Sequence, residues 1–268
     1  MKKKQIVKIY GGLGNQLFQY SFALYLRKYS KKEILLDTNE FSYVKHHSGL
    51  ELDKLIFNEF KSISIFNHLK YRLLKSLFKH KYYQQNFNDI NKLPSVEEFK
   101  NSEYLDGYWQ TYSMINLIKE ELLKSLRPSE HNGVEINEKS VGVHIRRGDY
   151  LNSKEIYSGN CNTEYYKSAV EILEEKIVNP QFYIFSDDIP WCKKNFEFIK
   201  NKKFVDFNSS SFEDFTLLLK FRNKIISNST FSWWASMLNN NSNIVITPKT
   251  WNNKISYTDF FPNSWIKI

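Results

Sequence analysis

The chain has 268 residues, 41% of them hydrophobic and 16% aromatic, which is enough apolar material for one large domain or two ordinary ones and argues against disorder. Its formal net charge of +9 favours polyanions, phosphorylated substrates or anionic membrane surfaces. The two cysteines, Cys161 and Cys192, lack the spacing of metal ligands, which argues against a disulfide framework or a zinc site and indicates a reducing cytoplasm. No apolar run is long enough for a secretory signal or a membrane span, so we expect a soluble chain that is at most peripheral to a membrane.

The N-terminal residues predict the start of a Rossmann-like half. Residues 5–10 alternate and are rich in β-branched side chains, which predicts a strand, and a glycine-rich turn at 11–14 follows it. Apolar residues at helical spacing over 15–28 predict a helix, and the apolar run at 33–37 predicts a second strand. This order of strand, turn, helix and strand is how a Rossmann-like half begins.

The segment between residues 40 and 100 shows no clear strand rhythm. Within it, residues 68–83 place leucines at helical spacing among lysines and an arginine, which predicts a basic amphipathic helix. Such a helix either lies on an anionic membrane surface or covers the core with its apolar side while its lysines are solvated. Beyond it, residues 105–109 predict a strand and residues 113–126 a helix.

A cluster of turn formers at residues 128–133 predicts a domain boundary. We therefore expect an N-terminal domain over 1–132 and a C-terminal domain over 133–268, the last segment of which can pack back on the N-terminal domain. The second domain again alternates elements, with strands at 140–145, 181–186, 203–207, 224–229 and 243–248 and helices at 163–177, 190–199, 211–221 and 232–239. The fold class that follows is α/β, with two Rossmann-like domains facing a central cleft.

The glycine turn at 11–14, with Asp37 ending the next strand, imitates the fingerprint of NAD-binding dehydrogenases. Leu17 occupies the position where that fingerprint has a third glycine for close packing between helix and strand, which argues against an NAD-dependent oxidoreductase. Two interpretations stay open: a plain tight turn, or a helix start whose backbone N–H groups bind an anion or a hydroxylated acceptor. In the second interpretation, Asn15 and Gln16 bind the acceptor.

A predicted strand ends in the run HIRRGD at 144–149. Two adjacent arginines at a strand end suit a diphosphate, because each guanidinium is permanently charged and presents a planar fork of donors to phosphate oxygens. Ligands of α/β folds also bind at the carboxyl ends of strands. The alternative is that Arg146 and Arg147 form structural salt bridges with nearby carboxylates.

The strand at 181–186 is followed by Asp187 and Asp188. Because successive side chains of an extended segment point to opposite faces, the two aspartates are poorly placed to chelate one metal ion, and we expect no metal. Their expected roles are structural or ligand-orienting. One of them caps the helix that follows around Pro190, or pairs with a basic residue.

The segment SNSTFS at 227–232 places small hydrogen-bonding side chains between a strand and a helix. Such a turn offers hydroxyl groups and backbone donors to a phosphate at a helix start. The alternative is an ordinary N-cap cluster in which Ser229 or Thr230 caps the helix. The adjacent Trp233 and Trp234 are expected to pack in the core, and they can also form a platform for a sugar ring.

Four motifs, taken in chain order, resemble those of the bacterial α-1,2-fucosyltransferases of glycosyltransferase family 11: GGLGNQLFQY at 11–20, HIRRGDY at 144–150, FSDD at 185–188 and SNSTFSWW at 227–234. The resemblance implies a GT-B-like arrangement in which the C-terminal domain binds GDP-fucose. It implies inverting transfer of L-fucose to a hydroxyl, usually the 2-hydroxyl of a galactose, with neither metal nor cofactor. It also implies that the acceptor is a galactose-terminated surface glycan or oligosaccharide, chosen in part by residues 40–100.

The resemblance further implies roles for individual residues. Arg146 contacts the β-phosphate of the donor, while His144, Arg147 and Asp149 shape the same pocket. The phosphate cradle is completed after the later strand by Asn228, Ser229, Thr230 and Ser232. Two aspartates are also expected at the donor, Asp188 and Asp214. The carboxylate of the second can accept hydrogen bonds from the N1–H and amino groups of guanine.

The chemistry of inverting transfer agrees with this assignment. The acceptor oxygen approaches the anomeric carbon opposite the departing diphosphate, and negative charge grows on the leaving oxygen. A fixed cation there stabilises the transition state more than the ground state, and Arg146 can supply it without a metal. A general base must be a carboxylate or a histidine within hydrogen-bond reach. We choose Asp149, and the alternatives are Glu155, Asp37, His144 or no dedicated base.

Two other classes of function are compatible with parts of the sequence: an NAD-dependent oxidoreductase and a nucleic-acid-binding module. The basic residues are dispersed and no nucleic-acid-binding signature occurs, so we expect no nucleic-acid partner. Within the favoured class, the alternatives are a fucosyltransferase of another linkage or acceptor, or a transferase of another GDP-sugar. We expect a cytoplasmic location, with peripheral contact with the inner membrane surface.

Overall fold

The computed structural model describes residues 3–44, 48–77, 79–127, 134–148, 155 and 159–268. The chain divides into two compact units, Met1–Pro128 with Thr258–Phe261 and Ser129–Tyr257 with Pro262–Ile268. The short late segment belongs to the first unit because it packs there. The rings of Phe260 and Phe18 stack with their centroids 5.9 Å apart, and the N–H of Tyr112 donates to the carbonyl of Asp259 over 2.9 Å.

The described part of the first unit contains a parallel sheet whose strands are β1 (Lys4–Lys8), β2 (Glu33–Asp37), β3 (Lys61–Ser62), β4 (Tyr82–Gln84) and β5 (Tyr104–Asp106). Their order across the sheet is β3-β2-β1-β5-β4. The α-helices of this unit are α1 (Leu13–Tyr29), α2 (Leu52–Leu55), α3 (Ile65–Leu77), α4 (Tyr112–Leu117) and α5 (Lys119–Lys124). Short 3-10 helices cover Asn39–Ser42, Lys79–Lys81, Phe87–Asp89 and Val96–Phe99.

Most residues of the helix α1 are buried in the first unit, because apolar residues occupy nearly every side of the helix. Leu17, at the position where a dinucleotide-binding turn has a glycine, is fully buried. The N-cap of α1 is Gly12, and the preceding Gly11 has a φ angle of +78°, a conformation that favours a residue without a side chain. The helix therefore begins directly behind the carboxyl end of β1.

The described part of the second unit contains a second parallel sheet, with strands β6 (Ser140–Ile145), β7 (Gln181–Ser186), β8 (Lys202–Phe204), β9 (Asn223–Ile225), β10 (Val245–Thr247) and β11 (Ile266–Lys267). Its helices are α6 (Thr163–Lys176), α7 (Ile189–Asn195), α8 (Ser211–Lys220) and α9 (Thr230–Met237). All six residues of β6 are buried, because helices cover both faces of a central parallel strand. This explains the near-continuous apolar run in its sequence.

The order of the second sheet is β8-β7-β6-β9-β10-β11 from edge to edge. Counted within the unit, this is the 3-2-1-4-5-6 order of a Rossmann fold, in which the direction of winding reverses between the first and fourth strands. Here that point lies between β6 and β9, and in the first sheet it lies between β1 and β5. Open α/β sheets bind ligands outside the carboxyl ends of such strands.

Two parallel sheets with helices between their strands confirm the predicted α/β class with two Rossmann-like domains, as in GT-B-like transferases. That the two domains face a central cleft stays a prediction. None of the described helices has the length and apolar character needed to cross a bilayer.

Several predicted elements have other limits in the structure. The strand expected at 105–109 ends at Asp106, because Trp109 has a φ of +56° and turns the chain away from the sheet. The helix expected at 113–126 is two short helices, α4 and α5, separated at Ile118. The strand expected at 224–229 ends at Ile225, which leaves a loop of small polar residues before α9.

Candidate active site

The arginine pair follows β6, and the aspartate pair follows the neighbouring strand β7. The two strands are parallel and in register, with Ile145 opposite Ser186, so the residues directly after them are also neighbours. One terminal nitrogen of Arg146 lies 2.9 Å from Oδ2 of Asp187. Strand register alone therefore brings two of the predicted motifs together, and the ion pairs that the sequence left as an alternative are present.

Asp187 also fixes the backbone of the arginine loop. Its carboxylate accepts hydrogen bonds from the N–H of Arg147 over 2.9 Å and from the N–H of Gly148 over 3.1 Å. A Cβ atom at Gly148 would lie 2.7 Å from Oδ2 of Asp187, so this position needs glycine. The carboxylate thus sets the path of the loop and orients Arg146 at the same time.

Arg147 is held from two sides. Its Nε donates to Oδ2 of Asp188 over 3.1 Å, and its guanidinium carbon lies 3.6 Å from the ring centroid of Trp191. Asp188 is the N-cap of α7, where its other carboxylate oxygen accepts the N–H of Trp191 over 3.1 Å. The predicted capping and pairing roles are therefore both present in Asp188.

The described residues contain no group of three or more His, Cys, Asp or Glu side chains that could hold a metal ion. At the site itself, the carboxylates of Asp187 and Asp188 are engaged with arginines and backbone N–H groups. Independence from metal stays a prediction.

His144 connects β6 to the loop after β9. Its Nδ1 lies 2.8 Å from Oγ of Ser227, and its ring stacks on Phe231, the second residue of α9, with centroids 5.1 Å apart. Burial, together with the nearby charge of Arg146, lowers the pKa of His144 to about 3. The imidazole is therefore neutral at physiological pH and binds as a hydrogen-bonding group, without a charge of its own.

The loop between β9 and α9 is held by its own polar side chains. The amide of Asn228 donates to the carbonyl of Trp251 over 3.1 Å, and its oxygen accepts from Sγ of Cys161 over 3.4 Å. The hydroxyl of Ser232 donates to the carbonyl of Ser229 over 3.2 Å. Asn228 and Ser232 are buried, so their side chains shape the predicted phosphate cradle from within.

The start of α9 is the part of this loop that can receive a ligand. Ser229 is the N-cap residue, but its side chain makes no capping hydrogen bond, contrary to the capping alternative for this residue. Thr230 is the first helical residue and is half-buried. Because first-turn N–H groups have no partners inside a helix, this start presents backbone donors next to Ser229 and Thr230.

Asp214 lies in the first turn of α8 and is half-buried. Its Oδ1 accepts a hydrogen bond from the side-chain amide of Asn208 over 2.8 Å. The next residue, Phe215, meets the ring of Phe231 edge-on at 5.2 Å, and Phe231 in turn stacks on His144. Asp214 therefore stands on a helix packed against the site, and its role towards guanine stays a prediction.

The structure distinguishes among the candidate bases. Asp149 lies outside the described residues. Glu155 is exposed and pairs with Nζ of Lys254 at 2.9 Å, and the hydrogen bond from that lysine lowers the pKa of the carboxyl. Asp37 is buried in the first unit, where it accepts hydrogen bonds of 2.6 Å from both Tyr104 and His68. An acceptor hydroxyl cannot reach Asp37 without opening that network.

The two predicted acceptor residues at the start of α1 differ sharply. Gln16 is fully buried; its amide donates to the carbonyls of Gly11 and Gly49 over 2.8 and 2.9 Å, and its oxygen accepts the N–H groups of Glu51 and Leu52 over 3.0 Å each. All four hydrogen-bonding positions of its amide are used, so Gln16 holds the turn together. Asn15 is half-buried and accepts from the side chain of Gln110 over 3.1 Å.

A second polar cluster, missed by the sequence analysis, lies at the carboxyl edge of the first sheet. Nζ of Lys8, the last residue of β1, lies 2.7 Å from Glu40 and 3.6 Å from Asp106, the last residue of β5. Next to it, the rings of Tyr10 and Tyr108 are tilted with their centroids 5.2 Å apart. The sequence offered one signal for this cluster, which is that Lys8 and Asp106 are charged residues at strand ends. The two strands, β1 and β5, are neighbours in the sheet.

Comparison with known proteins gives matches over the whole length of the chain. The family model described as Glycosyl transferase family 11 matches residues 2–268. The alpha-1,2-colitosyltransferase of Escherichia coli is 31% identical over 98% of this chain and 98% of its own length. The O-antigen biosynthesis glycosyltransferase WbnK of Escherichia coli is 30% identical over 96% of this chain and 98% of its own length. The galactoside 2-alpha-L-fucosyltransferase Sec1 of Mus musculus is 25% identical over 60% of this chain and 50% of its own length.

Proposed function

The chain belongs to glycosyltransferase family 11, and from this we propose that it transfers L-fucose from GDP-β-L-fucose to the 2-hydroxyl of a galactoside, with inversion. The proposal rests on two sets of phosphate-binding groups that follow neighbouring strands of the second sheet, where the direction of winding reverses. Arg146 and Arg147 follow β6, and the uncapped start of α9 follows β9. Guanidinium groups and the backbone N–H groups of a helix start, on neighbouring strands of one sheet, can together bind a diphosphate.

Arg146 acts on the leaving group. Its side chain is 27% accessible, and its contact with Asp187 holds the guanidinium in one direction. As the bond between the anomeric carbon and the diphosphate breaks, negative charge grows on the departing oxygen. A guanidinium that is already oriented stabilises this charge without reorganisation, which lowers the barrier to transfer. In this proposal the arginine takes the part that a divalent cation plays in metal-dependent transferases, and no metal is required.

His144 and Arg147 position this group. The neutral imidazole of His144 ties the arginine loop to Ser227, and Arg147 is fixed between Asp188 and Trp191. Ser229 and Thr230 contribute the hydroxyl and backbone donors, while Asn228 and Ser232 keep the loop in shape. Asp214 is proposed for guanine, with its carboxylate accepting from N1–H and the amino group.

Asp149 is proposed as the general base. His144 is unsuited because a pKa of about 3 makes it a weak proton acceptor at neutral pH. Asp37 is unsuited because it is buried and its carboxylate is occupied by donors. The remaining alternatives are Glu155, whose lowered pKa also makes it a weaker base, and transfer without a dedicated base.

The acceptor is proposed to be a galactose-terminated glycan bound by the first unit, at Asn15 and the neighbouring edge of the sheet. Glu40 can accept hydrogen bonds from sugar hydroxyls, and the rings of Tyr10 and Tyr108 offer apolar faces for a pyranose. The similarity to a bacterial O-antigen biosynthesis enzyme supports a surface glycan as the product. The reaction is proposed to take place in the cytoplasm.

A colitose donor is the second candidate, favoured by the 31% identity to an alpha-1,2-colitosyltransferase. Colitose is L-fucose without its 3-hydroxyl group, so the same phosphate site serves either donor. The distinction depends on a partner for the 3-hydroxyl, because a site built to hydrogen-bond a hydroxyl strongly rejects an analogue that lacks it.

The test is a measurement of GDP release from GDP-fucose, GDP-colitose and GDP-mannose, with galactosides and with 2-deoxygalactosides as acceptors. We expect release from GDP-fucose that depends on a galactoside and is lost with the 2-deoxy acceptor. A preference for GDP-colitose would show that colitose is the transferred sugar, and the proposed mechanism would stay the same. Unimpaired release with the 2-deoxygalactoside, and a product linked elsewhere, would overturn the linkage.

A further inference from the structure

The helix α3 packs on the first sheet through its polar and aromatic side. Nδ1 of His68 lies 2.6 Å from Oδ2 of Asp37, and the ring of Tyr71 lies 5.3 Å from that of Tyr104. Tyr71 packs against the small core around Ile6, and His68 is buried beside Asp37, so these contacts identify the side of the helix that faces the sheet. An ordinary surface helix turns its apolar residues to the core, and the apolar residues in the first half of α3 depart from that pattern.

Four apolar residues of α3 are instead about half or more exposed to solvent. The exposed fractions are 48% for Ile65, 75% for Phe66, 48% for Leu69 and 69% for Leu73. At about 100° of rotation per residue, these four positions fall within about 100° of one another on the helix, away from His68 and Tyr71. We call these four residues the α3 stripe. A contiguous exposed apolar patch of this kind marks an interaction surface.

Basic residues flank the α3 stripe on both sides. Lys70 lies next to Phe66 around the helix and Arg72 lies next to Ile65 on the opposite flank, and the segment Ile65–Leu77 contains no acidic residue. Arg72 and Lys75 lie over aromatic rings, at 5.5 Å from the centroid of Tyr43 and 5.1 Å from that of Tyr82. Contacts with aromatic rings do not neutralise Arg72 and Lys75, whereas Lys70 also interacts electrostatically with Glu103.

An aromatic side chain extends the same surface. Tyr43 is 48% exposed, and its hydroxyl lies 2.9 Å from Nε2 of His68. Its ring stands beside Arg72. A tyrosine with an anchored hydroxyl and an exposed ring, next to cations and apolar residues, has the composition of side chains that settle at the interface between lipid headgroups and acyl chains.

We propose that the α3 stripe and its flanking cations dock this protein on an anionic phospholipid surface. The apolar side chains enter the boundary between headgroups and acyl chains, while Lys70 and Arg72 contact lipid phosphates. A second copy of the chain is a poorer occupant, since pairing two α3 stripes would bring their cations together. The inference goes beyond the proposed function and does not depend on the identity of the donor.

The experiment is flotation of the full-length protein with vesicles of phosphatidylcholine alone and of phosphatidylcholine mixed with phosphatidylglycerol. We expect binding to the mixed vesicles that weakens as salt is raised, and little binding to the neutral ones. Phe66→Asp is expected to weaken binding at least tenfold, since it places a charge in the stripe. Replacing Lys70 and Arg72 by glutamine should weaken it by about fivefold for each cation removed.

Phe207→Asp is the matched control, because Phe207 is also a largely exposed phenylalanine and lies in the second unit. It should bind mixed vesicles as the parent protein does. Circular dichroism melting curves check that each variant is folded, and turnover of a soluble galactoside by Phe66→Asp should equal that of the parent. Failure of the parent protein to bind mixed vesicles, equal loss in both aspartate variants, or a dimer in sedimentation that Phe66→Asp dissolves would overturn the proposal.

Discussion

The carboxyl edges of the two sheets hold charged groups in opposite states of exposure. In the first unit, Asp37 at the end of β2 is buried and accepts hydrogen bonds from His68, Tyr104 and Asn39. In the second unit, Arg146 after β6 lies 2.9 Å from the carboxylate of Asp187, and its side chain is 27% accessible. A carboxylate surrounded by donors inside the protein stabilises the fold, whereas an accessible guanidinium can take a ligand oxygen as a partner.

A charged residue at a strand end therefore does not by itself indicate a catalytic or ligand-binding role. Both edges lie where an α/β sheet can bind ligands. What separates them is burial, since Asp37 is 1% exposed and the side chain of Arg146 is 27% accessible. On this basis we expect changes at Asp37 to affect stability and changes at Arg146 to affect turnover, and the predictions below separate these two outcomes.

The largest effect is expected for Asp37→Ala. The substitution leaves the buried donors of His68 and Tyr104 without their acceptor, so the free energy of unfolding should fall by about 3–5 kcal/mol. Urea unfolding followed by fluorescence measures it. Glu59→Ala is the control, because Glu59 pairs with Arg27 at the surface and its loss should cost less than about 1 kcal/mol. If both variants lost a similar free energy of unfolding, the expected difference between the buried and the surface carboxylate would be wrong.

Arg146→Ala is expected to act on turnover. Loss of the oriented cation should lower kcat at least about a hundredfold in the GDP-release assay. The free energy of unfolding should change by no more than about 1 kcal/mol, since the pair with Asp187 is partly exposed. Lys193→Ala removes a comparable surface pair with Asp206 and should leave kcat unchanged. Near-normal turnover by a folded Arg146→Ala protein would exclude this residue from the chemical step.

The two edges should also differ in their response to acid. The pKa of His144 is about 3 in the folded chain because of burial, and about 6.5 when unfolded, so the unfolded chain binds the proton first. Stability from His144 is complete above about pH 6.5 and declines as the pH falls, by about 2 kcal/mol at about pH 5. At Asp37, burial raises the pKa, but hydrogen bonds from Tyr104, His68 and Asn39 outweigh it and lower the pKa, so its contribution is lost only below about pH 4.

Melting temperatures measured across this pH range separate the two groups. His144→Gln should flatten the curve between about pH 6.5 and 5, and Asp37→Asn should flatten it only below about pH 4. An unchanged slope above about pH 5 in His144→Gln would show that other groups govern acid sensitivity at the second edge.

The smallest effect is expected for Asn15→Ala. Loss of one hydrogen bond to the acceptor should raise the acceptor KM about threefold to tenfold, with kcat, the KM for the donor and the melting temperature little changed. Gln16→Ala provides the contrast, because Gln16 is buried with all its amide positions bonded and should lose stability instead. If both variants only lost stability, the start of α1 would be structural throughout.

Much of the second unit could be predicted from the sequence, for a physical reason. The limits of β6 and β7 agree with the predicted 140–145 and 181–186, because each is a buried apolar run that ends at charged or small residues. The first unit was harder to predict between residues 40 and 100. Its strand β3 covers only Lys61–Ser62, both exposed, and therefore carries no apolar period.

The motifs of the site could be predicted from the sequence, but the contacts between their side chains could not. The pairing of Arg146 with Asp187 follows from the register of two strands that are well separated in sequence, and the sequence does not encode register in a readable form. The same limit hid the cluster of Lys8, Glu40 and Asp106, which only the sheet order brings together. For α3 the sequence left open which side faces the core, and the contacts of His68 and Tyr71 identify that side.

The return of Thr258–Phe261 to the first unit has a consequence for recombination within this family. The chain passes from one unit to the other three times, after positions 128, 257 and 261. A chimaera joined only at the first of these crossings would inherit mismatched partners for Phe18 and Ser113, since Phe260 and Asp259 would come from the other parent. To exchange acceptor preference between relatives, the gene segments for Met1–Pro128 and Thr258–Phe261 must therefore be exchanged together. The two segments then behave as one unit of recombination.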